Sequence, residues 1–167
     1  MSSDASVRMA TSADVALLAG LRRRWTQECG AGAGDADFEQ RFARWFTRER
    51  AHRATWLAET DDGPIGMLNL LLFAPQGFRG RRSGVGMPRP GEAASGWAYL
   101  ANMFVLHRFR NRGVGRLLLD AAVEHAADAG LERIVLHPSA RAVPFYERAG
   151  FGAADTLLVR HLAEAAS

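Results

Sequence analysis

Lysine is absent from this chain of 167 residues, so its 21 basic side chains are all arginines. They leave a formal net charge of +3 at pH 7. The arginines are scattered over predicted helices, a loop and a glycine-containing turn, and they do not form the single basic stripe that is typical of nucleic-acid binding. We therefore predict no nucleic-acid partner and expect the charge to serve an anionic small molecule.

Cysteine is also nearly absent, because Cys29 stands alone. A single cysteine excludes an internal disulfide and a cysteine-rich metal site, and we predict no bound metal. No apolar run reaches the length needed to cross a bilayer, and the first residues lack the basic and apolar regions of a secretory signal. We therefore predict a cytoplasmic protein with no membrane partner.

The length fits one ordinary domain, and 48% apolar with 23% charged residues is a globular composition. We predict a single domain over residues 1–167. Residues 1–5 are expected to be disordered. Residues 75–95 contain glycines, prolines and arginines without periodicity, which predicts a long flexible loop.

The hydrophobic pattern alternates between strand and helix signals, which favours an α/β fold. Thr11 and Asp14 form a capping box for a first helix that ends near the glycines of residues 30–34. Asp37 precedes a second helix with an aromatic face and an arginine-rich face, and we interpret the latter as solvated. Further helices are predicted at residues 114–129 and from near Ala142. Strands are predicted at residues 7–9, 55–59, 65–73, 97–105, 134–137 and 156–161, the second and third forming a hairpin and the third lying in the sheet centre.

The most informative segment runs from residue 110 to residue 116. It reads Arg110-Asn111-Arg112-Gly113-Val114-Gly115-Arg116 and joins an apolar strand to a helix. The first N–H groups of a helix have no internal partner, and the helix dipole is positive there, so an anion is stabilised. Glycines allow close backbone approach, and arginines add permanent charge. The turn predicts a diphosphate site, with a plain strand-to-helix turn as the alternative.

A second motif follows, Tyr146-Glu147-Arg148-Ala149-Gly150-Phe151. With the glycine turn, it resembles the GNAT superfamily of acyl-CoA-dependent N-acetyltransferases, whose signatures are Q/R-x-x-G-x-G/A and Tyr-Glu-x-x-Gly-Phe. The resemblance implies an α/β fold with a mixed, mostly antiparallel sheet, splayed between its fourth and fifth strands and flanked by about four helices. It also implies acetyl-CoA as the acyl donor.

The resemblance assigns roles to particular residues. The diphosphate of acetyl-CoA would bind at Arg110, Asn111, Arg112, Gly113, Val114, Gly115 and Arg116. The pantetheine arm would pair with the backbone of Phe104 and Val105, and a backbone N–H near Met103 to Val105 would stabilise the thioester oxygen. Tyr146 would protonate the departing thiolate, since a phenol of pKa about 10 is still protonated at neutral pH. The alternative for Tyr146 is an aromatic side chain that closes the core.

The resemblance would place a glutamate as general base on the fourth strand, but no glutamate lies between residues 97 and 106, so no general base is evident. Glu59, His107 and His137 are the nearest titratable candidates, and a water relay is equally open. The acids Glu28, Asp35 and Asp37, in and beside the glycine-rich connector, suggest an entry for a cationic substrate, unless the segment is only a connector.

The function that these patterns favour is transfer of an acetyl group from acetyl-CoA to a primary amine of a small molecule, by direct attack in a ternary complex. Acetylation of a protein or peptide amine stays open, as does a non-catalytic module that binds acyl-CoA. Dimers are frequent in the superfamily, so a homodimer also stays open.

Overall fold

A computed structural model describes residues 5–30, 35–73 and 96–154 of the chain. The chain divides into two compact units, one ending at Leu136 and the other beginning at His137. The predicted disorder of residues 1–5 lies, except for Ala5, outside the described residues. The predicted loop at 75–95 and the predicted strand at 156–161 also lie outside them. Within the described ranges, no helix combines the length and the apolar character that a bilayer crossing requires.

The described residues of the first unit form a five-stranded sheet and three α-helices. The strands are β1 (Ser6–Met9), β2 (Arg53–Thr60), β3 (Gly63–Phe73), β4 (Gly96–Val105) and β5 (Leu131–Val135). The helices are α1 (Val15–Glu28), α2 (Phe38–Glu49) and α3 (Val114–Asp128). The strand order is β1-β2-β3-β4-β5, antiparallel except for the parallel pair β4 and β5. With α4 (Val143–Arg148) in the second unit, this confirms the predicted mixed sheet and four helices.

The predicted capping box lies at the start of a short 3-10 helix, Ser12–Asp14, which leads directly into α1. The Thr11 side chain accepts a hydrogen bond from the Ala13 N–H at 3.2 Å, and the Asp14 carboxylate accepts one from the Thr11 N–H at 2.7 Å. Arg8 of β1 donates to both oxygens of Asp14, at 2.7 and 2.9 Å. This guanidinium holds the pKa of Asp14 well below its ordinary value, so the buried carboxylate stays ionised and ties β1 to α1.

Strand β3 is the centre of the sheet, as predicted, because it pairs with β2 on one side and β4 on the other. Its residues from Ile65 to Leu70 are buried without interruption. A Cβ at Gly66 would lie 2.9 Å from the Phe104 carbonyl oxygen and 3.3 Å from Leu118 of α3. Only glycine therefore allows β3, β4 and α3 to approach this closely.

Strand β4 leaves its neighbour β5 halfway along its length. Pairing with β5 ends at Tyr99, whereas pairing with β3 continues to Val105. Just beyond the divergence, Asn69 pairs with Asn102 while the next residue of β3 pairs with Leu100, so Ala101 is an extra residue on β4. This β-bulge and the end of the β5 pairing confirm the splay that was expected between the fourth and fifth strands.

The boundaries of β5 differ from the prediction, which placed the strand at residues 134–137. Gly130 adopts the left-handed conformation, with φ of +69°, and ends α3 as expected. The chain enters the strand at once, and Leu131 pairs with Gly96. The strand therefore begins three residues earlier than its most apolar residues suggest, and His137 follows it in the second unit.

Helix α4 ends in a Schellman motif that accounts for the glycine and the phenylalanine of the second motif. Gly150 has φ of +90°, its N–H donates to the Glu147 carbonyl, and the Phe151 N–H donates to the Tyr146 carbonyl, each at 3.0 Å. The rings of Tyr146 and Phe151 also meet edge to face, with centroids 5.6 Å apart. Backbone bonds and the hydrophobic contact together fix Tyr146 at the end of its helix.

Candidate active site

The turn before α3 presents unpaired backbone donors. Gly113 is the N-cap of α3, with φ of +83°, and Asn111 has φ of +59°. The first helical hydrogen bond runs from the Leu117 N–H to the Gly113 carbonyl. Among the described residues, no acceptor is recorded for the N–H groups of Gly113, Val114 and Gly115. These three donors, at the positive end of a 15-residue helix, form a site suited to a phosphate group.

The three arginines of the turn have different surroundings. The Arg110 guanidinium donates to the Val105 carbonyl at 2.8 Å and pairs with Glu28 at the end of α1. Arg116 pairs with Asp120 one helical turn further on, at 2.7 Å. Arg112 is exposed, and the described part of the chain offers it no recorded ion pair. Arg112 is thus the side chain most available to a diphosphate, while Arg110 holds the turn in place.

Arg110 belongs to a stacked cluster that joins the turn to α1. Its guanidinium lies 5.7 Å from the ring centroid of Phe104, and that ring stacks on Trp25 of α1 at 6.0 Å. Phe104 is buried, so its side chain serves the core. Its backbone lies on the part of β4 beyond the β5 pairing, where the edge facing away from β3 has no strand partner among the described residues. An extended pantetheine chain could add to such an edge.

A cavity of about 410 Å³ lies over the same half of β4. It is bounded by α1, α2 and the sheet face formed by β2, β3 and β4. Its apolar wall consists of Leu18, Phe38, Phe42, Trp45, Phe46 and Met67. A cavity of this size suits a small molecule with an apolar part.

The sheet side of the cavity carries a row of three polar side chains. Thr55, Asn69 and Asn102 face one another on adjacent strands, since Thr55 pairs with Asn69 and Asn69 pairs with Asn102. The Asn69 amide donates to the Thr55 hydroxyl and accepts from Arg53, each at 3.0 Å. Thr55 retains its own O–H for a further acceptor. Asn102 is next to the bulge in β4, so the row extends to the point where β4 leaves β5.

Within the described residues, the charged side chains that line the cavity are those of Arg22 and Arg41. Arg41, on the basic face of α2 that we expected to be solvated, pairs with Asp35. The Arg22 guanidinium lies 4.1 Å from the Trp25 ring centroid, and no hydrogen bond or ion pair of it with another described residue is recorded. Partial burial lowers the pKa of Arg22.

Two of the three acids that suggested a cationic entry, Glu28 and Asp35, are paired with arginines, whereas Asp37 is exposed just before α2. Glu28 pairs with Arg110, and Asp35 pairs with Arg41, so arginines neutralise both carboxylates. No aspartate, glutamate or histidine lines the cavity within the described residues. These same ranges contain no group of three side chains able to hold a metal ion.

Tyr146 is buried in the second unit, where it also meets Phe145 edge to face at 5.1 Å. Burial raises the pKa of its phenol above the ordinary value of 10.0, which keeps the proton on the oxygen at neutral pH. Within the described residues, no hydrogen bond of this hydroxyl is recorded. The surroundings are compatible with a proton donor and also with the alternative of a packed aromatic.

The candidate bases are dispersed. Glu59 pairs with Arg8 at 2.6 Å, at the far end of β2 from the polar row. His107 is exposed in the short 3-10 helix that follows β4, and His137 is exposed in the second unit. Neither Glu59 nor His107 lines the cavity.

Sequence reasoning missed Arg22 and the polar row. The signal for the row was a single asparagine within each of two otherwise apolar strands, Asn69 in β3 and Asn102 in β4. A polar residue in a buried strand needs a partner or a ligand, so these positions mark the cavity. No pattern singles out Arg22 among the three consecutive arginines 22–24, because its exposure depends on how α1 and α2 pack.

Comparison with known proteins places these features in a family. The model of the acetyltransferase (GNAT) family matches residues 18–151. Two curated relatives match over shorter segments. Mycothiol acetyltransferase of Propionibacterium freudenreichii subsp. shermanii is 45% identical over 51 residues, which are 29% of this chain and 16% of the relative. The uncharacterized N-acetyltransferase YjcF of Bacillus subtilis is 36% identical over 56 residues, which are 34% of this chain and 40% of YjcF.

The matched segments therefore span less than half the length of either relative. A solved structure from Clostridium acetobutylicum, described as a predicted acetyltransferase with acetyl-CoA, covers the fold more fully. It superposes with a TM-score of 0.70 and 21% identity, over 95% of this chain and 96% of the other. That likeness concerns the fold, whereas the family model spans the glycine turn and the second motif. The chain belongs to the acetyltransferase (GNAT) family.

Proposed function

We propose that the protein transfers the acetyl group of acetyl-CoA to a primary amine of a small molecule, by direct attack within a ternary complex. The observation that carries the proposal is the set of unpaired N–H groups of Gly113, Val114 and Gly115, with Arg112 beside them. They match a diphosphate in charge and in hydrogen-bonding capacity. Acetyl-CoA supplies the acetyl group as a thioester.

The unpaired edge of β4 orients the donor in this proposal. The backbone of Phe104 and Val105 pairs with the pantetheine arm, although the Val105 carbonyl already accepts from Arg110. A backbone N–H of the same edge donates to the carbonyl oxygen as negative charge develops on it. Holding the thioester along β4 brings its carbonyl carbon toward Asn102 and the cavity, where the amine is bound.

The proton balance requires one donor and one acceptor. As the amine nitrogen forms its bond to the carbonyl carbon, the carbon–sulfur bond breaks and the thiolate takes the proton of Tyr146. The phenol suits this role because burial keeps it protonated. The amine gives its proton to water, since the described lining of the cavity contains no carboxylate or imidazole. Water then returns a proton to the tyrosinate.

The cavity favours a small acceptor over a polypeptide, because an apolar cavity with few polar groups encloses a compact ligand. The test combines calorimetry with acetyl-CoA and a thiol-release assay with a mixture of small primary amines. Binding with amine-dependent thiol release is the expected result. Binding of acetyl-CoA without thiol release, both with small amines and with amine-bearing peptides, would favour the non-catalytic module. Absence of binding would overturn the proposal.

A further inference from the structure

Arg22 is the charged group of the cavity that lacks a counterion among the described residues. The guanidinium lies over Trp25, and this contact engages the positive charge through the ring face. A cation–π contact accepts none of the five guanidinium N–H donors. The donors of Arg22 thus remain available at the wall of the cavity.

Partial burial makes this arrangement costly without an anion. A guanidinium that has lost part of its water regains stability when a carboxylate or phosphate accepts its paired N–H groups. Arg41, the other arginine of the lining, already pairs with Asp35. The cavity therefore carries the equivalent of one uncompensated positive charge.

One positive charge matches a carboxylate better than a phosphate. A carboxylate carries a single negative charge and accepts the guanidinium fork in a bidentate manner. A phosphate monoester carries between one and two negative charges at pH 7, and its excess charge would face an apolar wall. The amine of the same ligand must reach the Asn102 end of the cavity, where β4 leaves β5.

The rest of the ligand is determined by the apolar wall. Phe38, Phe42, Trp45 and Phe46 form an aromatic side opposite the polar row, and the Phe42 ring contacts the other three at 5.4 to 6.2 Å. Rings in mutual contact offer a firm apolar surface to an aliphatic or aromatic substituent.

We propose that the acceptor is an amino acid with an apolar side chain, whose carboxylate binds Arg22 and whose side chain packs on the aromatic wall. This inference rests on the proposed acetyl transfer. Arg22 acts as a specificity-determining residue, because it selects amines that bear a carboxylate.

The experiment compares four acceptors that share one ring and one amine: phenylalanine, phenylalaninamide, 2-phenylethylamine and the phosphonate analogue of phenylalanine. We expect kcat/KM for phenylalanine to exceed that for the amide by about tenfold or more. The amide has the lower amine pKa, so intrinsic reactivity at neutral pH would favour it. Arg22→Gln should bring the ratio to one or below, chiefly through KM, and Arg22→Lys should restore part of the preference for phenylalanine.

Arg24→Gln is the matched control, because Arg24 lies on the same helix, is exposed and is not part of the cavity lining. This variant should retain the preference for phenylalanine. The inference would be overturned if Arg22→Gln left the ratio of kcat/KM for phenylalanine to that for the amide unchanged. It would also be overturned if the unmodified protein preferred the amide or the phosphonate. Acetyl transfer would stand in either case.

Calorimetry with N-acetylphenylalanine, the product, separates the two proposals. Heat that disappears in Arg22→Gln, in a protein that releases no thiol with any amine, would support the carboxylate site and contradict acetyl transfer. If N-acetylphenylalanine gives no heat and none of the four acceptors is acetylated, the carboxylate site is overturned, even if acetyl-CoA binds.

Discussion

The ring of Phe151 packs edge to face on Tyr146, and its backbone N–H donates to the Tyr146 carbonyl at 3.0 Å. The glycine between them supplies the left-handed turn that both contacts need. The position of the phenol therefore depends on a helix terminus, and the second motif has a structural reason that is independent of chemistry. The variants Tyr146→Phe and Gly150→Ala distinguish a chemical role of the phenol from the structural role of the helix terminus.

Tyr146→Phe should lower kcat by about 100-fold, because a positioned general acid contributes about that much or more. The affinity for acetyl-CoA, measured by calorimetry, should change little. Thermal unfolding should also be nearly unaffected, since no hydrogen bond of the hydroxyl is recorded among the described residues. Unchanged turnover would show that Tyr146 only fills the core.

Gly150→Ala should destabilise the protein by about 1–2 kcal/mol, because a Cβ is strained at a φ of +90°. Gly152→Ala is the control, since its Cβ would also meet nothing within 4 Å and its φ is outside the left-handed range. Denaturant unfolding measures both. If Gly150→Ala also lowers kcat, the helix terminus positions the phenol, whereas equal stability of the two variants would contradict the assigned motif.

The glycine turn can be tested with a pair of glycines at the two ends of α3. Gly113 and Gly130 have φ of +83° and +69°, and a Cβ at either would meet no atom within 4 Å. Each change to alanine should cost about 1–2 kcal/mol of stability from backbone strain. Only Gly113→Ala should weaken acetyl-CoA binding in calorimetry. Equal affinity in both variants would remove the turn from the binding site.

The sequence sufficed for the glycine turn, the capping box and the succession of helices and strands along the chain, because each depends on local chemistry. Thr11 and Asp14 hydrogen-bond to each other within four residues, and glycine readily adopts the positive φ that the turns at Gly113, Gly130 and Gly150 require. The cavity could not be predicted in this way. Thr55, Asn69 and Asn102 come from three strands and meet only through cross-strand register, which depends on the bulge at Ala101.

Side-chain partners were also beyond local reasoning. Arg110, Arg112 and Arg116 are equivalent as sequence, but Arg110 pairs with Glu28, which is 82 residues away along the chain. Through this pair, Arg110 links the turn to the end of α1. Likewise, the charge that Glu28 and Asp35 seemed to offer an amine is neutralised by arginines that sequence alone does not assign to them.

Arg110 and Arg112 should therefore respond differently to substitution by glutamine. Arg110→Gln loses the bond to the Val105 carbonyl and the pair with Glu28, and we expect a loss of about 1–2 kcal/mol in the free energy of unfolding. Arg112→Gln should leave that free energy within about 0.5 kcal/mol. It should instead weaken acetyl-CoA binding about fivefold at low salt and less at high salt. The reverse pattern in unfolding and calorimetry would contradict these assignments.

Asp14 should govern part of the acid sensitivity of the fold. Arg8 lowers the pKa of the buried carboxyl below its ordinary value of 3.8. The stabilisation is therefore present above that value and is lost as the pH falls from there through the folded pKa. Asp14→Asn should reduce stability by about 2 kcal/mol at pH 7, where charged hydrogen bonds are lost, and should flatten the dependence on pH below about 4.

The control for this last variant is Asp120→Asn, which removes an ion pair with Arg116 whose partners are each 53% exposed. Solvent screening makes such a pair worth less than about 1 kcal/mol. At acidic pH, the free energy of unfolding of Asp120→Asn should therefore depend on pH as steeply as that of the unmodified protein. Urea unfolding between pH 3 and pH 7 measures both variants. Parallel curves for Asp14→Asn and the unmodified protein would mean that Arg8 does not shift this carboxyl, and the tie between β1 and α1 would then contribute nothing to acid unfolding.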